Sequence, residues 1–154
     1  MPFARPAVRS VLLLAALASC DAGVKGASDY NAGLDAFKLR DHGRARERFE
    51  QAVAANPDFS EAHLYLSTAR TRLSRQAALA GRTTEAAALW RQSVADRRRA
   101  KELMDAGKFF VSQGAEQESA KREVERSLAS VDRLLKLSPT DEQIAEAALL
   151  LPED

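Results

Sequence analysis

Residues 26–59 decide the fold of this chain, and they read GASDYNAGLDAFKLRDHGRARERFEQAVAANPDF. Small and aromatic side chains recur at helical spacing over about 28–40 and again over 45–53, so we predict a helix at each stretch. The polar triplet 41–43 predicts a turn between them. Asn-Pro-Asp at 56–58 predicts the end of the second helix, because proline cannot donate a hydrogen bond into a helix. The segment is expected to form two antiparallel helices in one short hairpin.

The spacing of small residues around one aromatic in this segment resembles a tetratricopeptide repeat, whose period is 34 residues. Counted from residue 26, small residues hold positions 8, 20 and 27, an aromatic holds position 24 and proline holds position 32: Gly33, Ala45, Ala52, Phe49 and Pro57. The small residues let two helices approach closely, the aromatic fills the gap, and the proline stops the second helix. The chain departs from the family at Asp29, Ala32 and Ala36, where tryptophan, leucine and tyrosine are usual. A generic amphipathic hairpin is the alternative.

One repeat cannot bury its own apolar face, so further hairpins are expected. Residues 60–99 resemble a degenerate second repeat, in which Ala86 and Trp90 hold the positions of Ala45 and Phe49. When Ser67 is aligned with Gly33, the turn of this repeat comes seven residues late. Seven residues are close to two helical turns, so the hairpin lengthens with its faces in register.

A divergent third unit and cap are predicted over 100–154. Arg97, Arg98 and Arg99 interrupt an apolar stripe, so a break or bend is expected there, followed by a helix that carries Phe110 and ends at Gly114. A long helix is expected from about Glu116, and Thr140 begins a capping box that opens a short terminal helix. The predicted fold class is all-α, with tetratricopeptide-like antiparallel hairpins in a short solenoid of about six or seven helices.

The N-terminus carries an independent motif. An apolar run over 11–18 follows basic residues, has the length of a secretory h-region, and is too short to span a bilayer. The run closes on Leu17-Ala18-Ser19-Cys20, and Cys20 is the single cysteine of the chain. This stretch resembles a bacterial lipobox. The resemblance implies cleavage between Ser19 and Cys20, loss of a signal peptide over 1–19, and lipidation of the Cys20 thiol.

The lipobox implies a location as well as a modification. Residues 20–27 are predicted to be a lipidated flexible tether, and the domain over 28–154 would face the periplasm. Two or three acyl chains hold a protein at a membrane far more firmly than one. Asp21 directly after the cysteine favours the inner membrane in enterobacterial lipoproteins, and the outer membrane is the alternative. The other interpretations are an ordinary secretory signal peptide and a cytosolic protein with an apolar N-terminus.

Composition and charge narrow the expected chemistry. The chain has 23 Lys and Arg against 22 Asp and Glu, and removal of Arg5 and Arg9 with the signal peptide leaves 21 against 22. Nucleic-acid binding needs a clear basic excess, so no nucleic acid is expected as a partner. His42 and His63 lack the spaced partners of a zinc motif, and no phosphate loop or nucleophile elbow is present. We expect no enzyme, no cofactor and no metal.

The predicted function is recognition by a surface. In tetratricopeptide proteins the first helices of successive repeats line a groove that binds a peptide or another protein, which implies an envelope protein or peptide as the partner. The resemblance places the groove at Tyr30, Leu34, Phe37, Lys38, Glu61, Thr68 and Arg72, together with Ala27, Leu64 and Thr71. Tyr30 and Leu64 can equally belong to the core. The alternatives are a pilotin-like or wall-synthesis assembly factor, and an envelope enzyme with an unrecognised site.

Overall fold

The computed structural model describes residues 26–150, and this part of the chain forms six helices and no strand. Helix α1 covers 26–38. Helices α2 to α6 are, in order, His42–Ala55, Ser60–Leu79, Thr83–Asp105, Ala115–Leu135 and Asp141–Leu149. The predicted all-α fold of antiparallel helical hairpins is confirmed. The signal peptide over 1–19, the cleavage site at Ser19 and the lipidation site at Cys20 lie outside the described residues.

The first hairpin is closed by the approach of α1 to α2 at Gly33. A Cβ atom at this position would lie 2.6 Å from Cε1 of Phe49, so the ring fits only because residue 33 has no side chain. Phe49 is fully buried, and so are Ala45 and Ala52 on the same face of α2. Helix α2 ends at Ala55, and the next residue is extended with a φ of −141° before Pro57.

Helix α1 includes residues that the sequence assigned to the tether. Residues 26 and 27 are helical, and a Cβ at Gly26 would lie 3.4 Å from the carbonyl oxygen of Ala52. The predicted tether is therefore wrong at its last two residues, because the small side chains that suggested flexibility allow close packing against α2. Residues 20–25 lie outside the described part of the chain.

The turns after α1 and α3 have the same backbone structure. Arg40 and Gly81 adopt the left-handed conformation, with φ of 59° and 72°. In each turn this residue and the next donate their N–H groups back into the preceding helix over 2.8–3.0 Å, the arrangement called a Schellman motif. The turns are 41 residues apart, the same spacing that separates Ala86 from Ala45 and Trp90 from Phe49.

The second hairpin is closed by a serine in place of the glycine. Counted back from the turn, Ser74 corresponds to Gly33, and its Oγ donates to the carbonyl oxygen of Ala86 over 2.7 Å. Ser74 is fully buried. A hydrogen bond therefore joins α3 to α4 at the position where the Phe49 ring packs against Gly33 between α1 and α2.

Helix α4 is continuous through the three arginines, so the predicted break is wrong. Arginine has a high helix propensity, and each of the three side chains finds a partner: Arg97 bonds to Ser67, Arg98 to Asp132 and Arg99 to Glu102. The helix ends at Asp105. The predicted repeat boundary at 99 consequently falls inside a helix.

The chain after α4 differs from the prediction. Residues 106–114 form an irregular segment, which we call the connecting loop. Phe110 lies in this loop and not on a helix, and its ring packs 4.3 Å from that of Phe59. Gly114, with a φ of 54°, precedes α5 and does not end a helix. The capping box at Thr140 is confirmed, since both of its reciprocal hydrogen bonds with Gln143 are present.

Two large hydrophobic clusters hold the helices together, with a small third one formed by Ala77, Ala86 and Ala145. The first gathers side chains from α1, α2 and the start of α3, including Tyr30, Phe49, Phe59 and Leu66. The second joins α4 to the C-terminal helices and includes Trp90, Met104, Val124 and Ile144. Helix α5 packs on α4, and α6 packs on both α3 and α4. The two last helices therefore share the surface of the second hairpin.

Candidate functional site

An open cleft separates α3 from α5. It has a volume of about 360 Å³ and is called the α3–α5 cleft here. Helix α3 contributes Leu64, Tyr65 and Thr68 to it, and α5 contributes Glu116, Ala120 and Glu123. The facing side chains on α5 are short or charged, so they do not fill the space between the helices. The result is a wall of aliphatic and aromatic carbon opposite exposed carboxylates.

A second space, about 340 Å³ in volume, lies where α3, α4, α5 and α6 meet. We call it the Trp90 cavity. Thr71 lines it one turn beyond Thr68 on α3, and Ser127 lines it one turn beyond Glu123 on α5. Helix α4 contributes Trp90 and Arg97 to its lining. The cleft and the cavity thus follow one another along the same pair of helices.

Glu61 fixes the connecting loop at one end of the α3–α5 cleft. Its carboxylate accepts hydrogen bonds from the backbone N–H groups of Phe110, Val111 and Ser112 at 2.9–3.1 Å. Burial alone would raise the pKa of Glu61, but these N–H groups outweigh it and hold the pKa below its ordinary value. Glu61 is buried, with 3% of its surface exposed. Glu61 lines the cleft, but its carboxylate already accepts hydrogen bonds within the chain.

Tyr30 also belongs to the interior and not to a groove. It is 5% exposed, and its ring lies 4.8 Å from that of Phe59 and 5.7 Å from that of Tyr65. Burial, followed by the effects of Tyr65 and Glu61, raises the pKa of Tyr30 well above its ordinary value. Of the two possibilities that the sequence left open for Tyr30, the structure selects the core.

The remaining predicted groove residues are divided between two places. Leu34 and Phe37 of α1 are half-buried against the first hydrophobic cluster, and Lys38 is exposed beside Asp35. Thr68 lines the α3–α5 cleft, as does Leu64, while Thr71 lines the Trp90 cavity. Arg72 and Ala27 are half-buried on their helices. The structure thus brings Leu64 and Thr68 of α3 to the cleft and leaves the α1 residues outside its wall.

The α5 wall was missed by the sequence reasoning. Its residues Glu116, Ala120, Glu123 and Ser127 occur every three or four positions, the spacing of one helical face. Val124 and Leu128 on the neighbouring face of α5 belong to the second hydrophobic cluster. The sequence feature that could have revealed this wall is a second face of α5, made of small and polar side chains and lying next to the buried face.

A partly exposed ion network connects α2, α3 and α4. The guanidinium of Arg70 on α3 bonds to Glu50 on α2 and to Asp96 on α4. Burial raises the pKa of Asp96, although Arg70 acts in the opposite direction. Neither acid is near the cleft wall, so the network positions the hairpins and carries no candidate chemistry.

No metal site or membrane span occurs within residues 26–150. No group of three or more His, Cys, Asp or Glu side chains there is arranged to hold a metal ion. His63 Nε2 lies 3.1 Å from the carbonyl oxygen of Pro57, and burial lowers the pKa of this histidine. None of the helices in this part of the chain combines the length and the apolar character needed to cross a bilayer.

Comparison with known proteins adds no relative. No protein-family model, no curated protein and no solved structure matches this chain.

Proposed function

We propose that this protein is a membrane-anchored scaffold of the bacterial cell envelope that binds a partner protein or peptide in the α3–α5 cleft. The observation that supports this most is the open space between two helices that are otherwise part of one packed domain. Interiors are normally close-packed, so a cleft of this size next to solvent is a surface available to a partner segment.

The side chains of the cleft suit a particular kind of segment. Leu64 and Tyr65 offer apolar area, while Glu116 and Glu123 offer negative charge at the rim. A partner that places an apolar side chain beside a lysine or arginine complements both features.

The lipid anchor is part of the proposed mechanism. Lipidation at Cys20 would hold the domain close to the membrane and raise the effective concentration of partners that are also located there. The inner membrane is favoured by Asp21. The recognition surface and the anchor would then act together, since neither the cleft nor the composition of the chain points to catalysis.

In-cell photo-crosslinking tests the binding proposal. A benzophenone amino acid at Thr68 lies in the cleft, and the same probe at Ala54 lies on the exposed face of α2 as a matched control. We expect a discrete crosslinked envelope protein from position 68 that is absent from position 54. Ala120→Trp, which fills the cleft from α5, should abolish that product. Identical crosslinking from both positions would contradict the proposal.

Replacement of Cys20 tests the anchor separately. Cys20→Ala should leave an uncleaved precursor that is no longer extracted with the lipoproteins. If mature protein of normal size remains at the membrane, the anchor is wrong, whatever the crosslinking shows.

A further inference from the structure

The Trp90 cavity has the dimensions and walls of a small-molecule site. Its volume of about 340 Å³ lies at the low end of the range of about 300–1,000 Å³ that ligand pockets occupy. Four helices contribute side chains to this open cavity, and most of its lining surface is apolar. An apolar body of a few carbon atoms fits such a space.

Arg97 places a positive charge in this apolar wall. It occupies a position of α4 between Val94 and Met104, both of which are buried, so its stem follows the core face of the helix. Within residues 26–150 its guanidinium makes one hydrogen bond, from Nε to Ser67 Oγ over 3.3 Å. A guanidinium has five N–H donors in all, so the other four are open to a ligand.

The neighbouring carboxylates do not occupy those donors. Asp96 and Glu123 attract the Arg97 charge from a distance. Asp96 is hydrogen-bonded to Arg70, and Glu123 lines the adjacent α3–α5 cleft. Burial lowers the pKa of Arg97, as expected for a cation that lacks a bonded counterion.

The hydroxyl groups of the cavity cannot replace Arg97 as donors. Thr71, Ser93 and Ser127 each donate to a carbonyl oxygen of their own helix over 2.7–2.9 Å, and Ser130 donates to the carbonyl oxygen of Arg126 over 3.4 Å. Their protons are therefore used, and only lone pairs remain toward the cavity. An anion in this space would depend on Arg97 for its hydrogen bonds.

We propose that the Trp90 cavity binds a small amphipathic anion, with its carboxylate, phosphate or sulfate group on the Arg97 guanidinium and its apolar tail against Trp90, Val131 and Leu134. Pairs of oxygen atoms on a carboxylate or a phosphate match the paired donors of a guanidinium. This site is distinct from the α3–α5 cleft and does not depend on the partner-binding proposal.

Trp90 provides the readout, because it is the single tryptophan of the chain. We would titrate octanoate and 1-octanol into the full-length protein in neutral phosphatidylcholine vesicles, which contribute no tryptophan, and follow the emission. Octanoate should give a saturable change and bind at least about tenfold more tightly than octanol, since a hydrogen bond to a charged group is worth more than a neutral one. Equal affinities, or no change with either compound, would overturn the proposal.

Two variants test separately the charge of Arg97 and the volume of the Trp90 cavity. Arg97→Gln should remove the preference for octanoate, while Arg98→Gln, whose side chain is exposed and paired with Asp132, should retain it. Ala147→Met keeps Arg97 but fills the cavity from α6, and should abolish the emission change. Retention of the octanoate preference by the Arg97→Gln protein, or of the emission change by the Ala147→Met protein, would contradict the proposal. Circular dichroism of each variant confirms that the helices are intact.

Discussion

Helix α3 packs in opposite ways on its two sides. Toward α1 and α2 it adds Tyr65 and Leu66 to a cluster of buried rings in which Phe49 is fully enclosed. Toward α5 it presents Thr68 and Thr71, and two spaces remain unfilled. The same helix therefore provides stability on one side and an accessible surface on the other. This contrast suggests that substitutions on the closed side will reduce the free energy of unfolding, and that the open side will tolerate larger side chains.

Removal of the central ring tests the closed side most severely. Phe49→Ala should lower the free energy of unfolding by about 3–5 kcal/mol, because it deletes a fully buried aromatic that packs against a glycine. Urea denaturation followed by circular dichroism measures this. Leu64→Ala, on the half-buried cleft wall, is the matched control and should cost less. Equal losses at the two positions would remove the distinction between the two sides of α3.

Glu61 links the closed side to the open one through the connecting loop. Glu61→Ala should cost about 1.5–3 kcal/mol, since charge-assisted hydrogen bonds to three backbone N–H groups are lost at a buried position. Hydrogen exchange should become faster at the amides of Phe110, Val111 and Ser112, while the amides of α2 exchange as before. Unchanged protection in the loop would show that the carboxylate does not hold it.

The same residue gives a dependence on pH. Its folded pKa lies below the ordinary value of 4.5, so its stabilising effect is complete above that value and is lost as the pH falls through the folded pKa. The difference in urea midpoint between the wild type and Glu61→Gln should therefore shrink as the pH is lowered from 7 toward 3. A difference that stays constant over this range would contradict the direction of the shift.

Gly33 tests how tightly the closed side is packed. Gly33→Ala should destabilise the protein by about 1 kcal/mol, because overpacking costs roughly 1–3 kcal/mol and the helix propensity of alanine offsets about 0.8–1 kcal/mol of it. The added Cβ would meet the Phe49 ring at 2.6 Å. Thermal unfolding measures the change, and Gly43→Ala, where the nearest atom is 3.7 Å away, serves as the control. A more stable Gly33→Ala protein would show that the ring can move aside.

The sequence predicted the closed side well and the open side poorly. Gly33, Ala45 and Phe49 are close in sequence, and the resemblance of their spacing to a tetratricopeptide repeat implies that the Phe49 ring fills the gap between the two helices. The α3–α5 cleft depends on where α5 lies, and that position is set by contacts between distant residues, such as Glu61 with Ser112. Local patterns do not encode such contacts. The break predicted at Arg97 failed for a related reason, since a long side chain can follow an apolar face when its head group has somewhere polar to go.

We expect the open side of α3 to tolerate a larger side chain, whereas the closed side has no room for one. Ala120 lies half-buried on the α5 wall of the cleft, so Ala120→Leu adds a side chain into empty space. The free energy of unfolding should change by no more than about 0.5 kcal/mol, because Ala120 packs against the second hydrophobic cluster on one side and the cleft gives the added carbon atoms room on the other. The added leucine should nevertheless weaken partner crosslinking from position 68, because it occupies the space that the partner would use. A loss of stability as large as that of Gly33→Ala would mean that the cleft closes in solution, and the two sides of α3 would then differ in composition but not in packing.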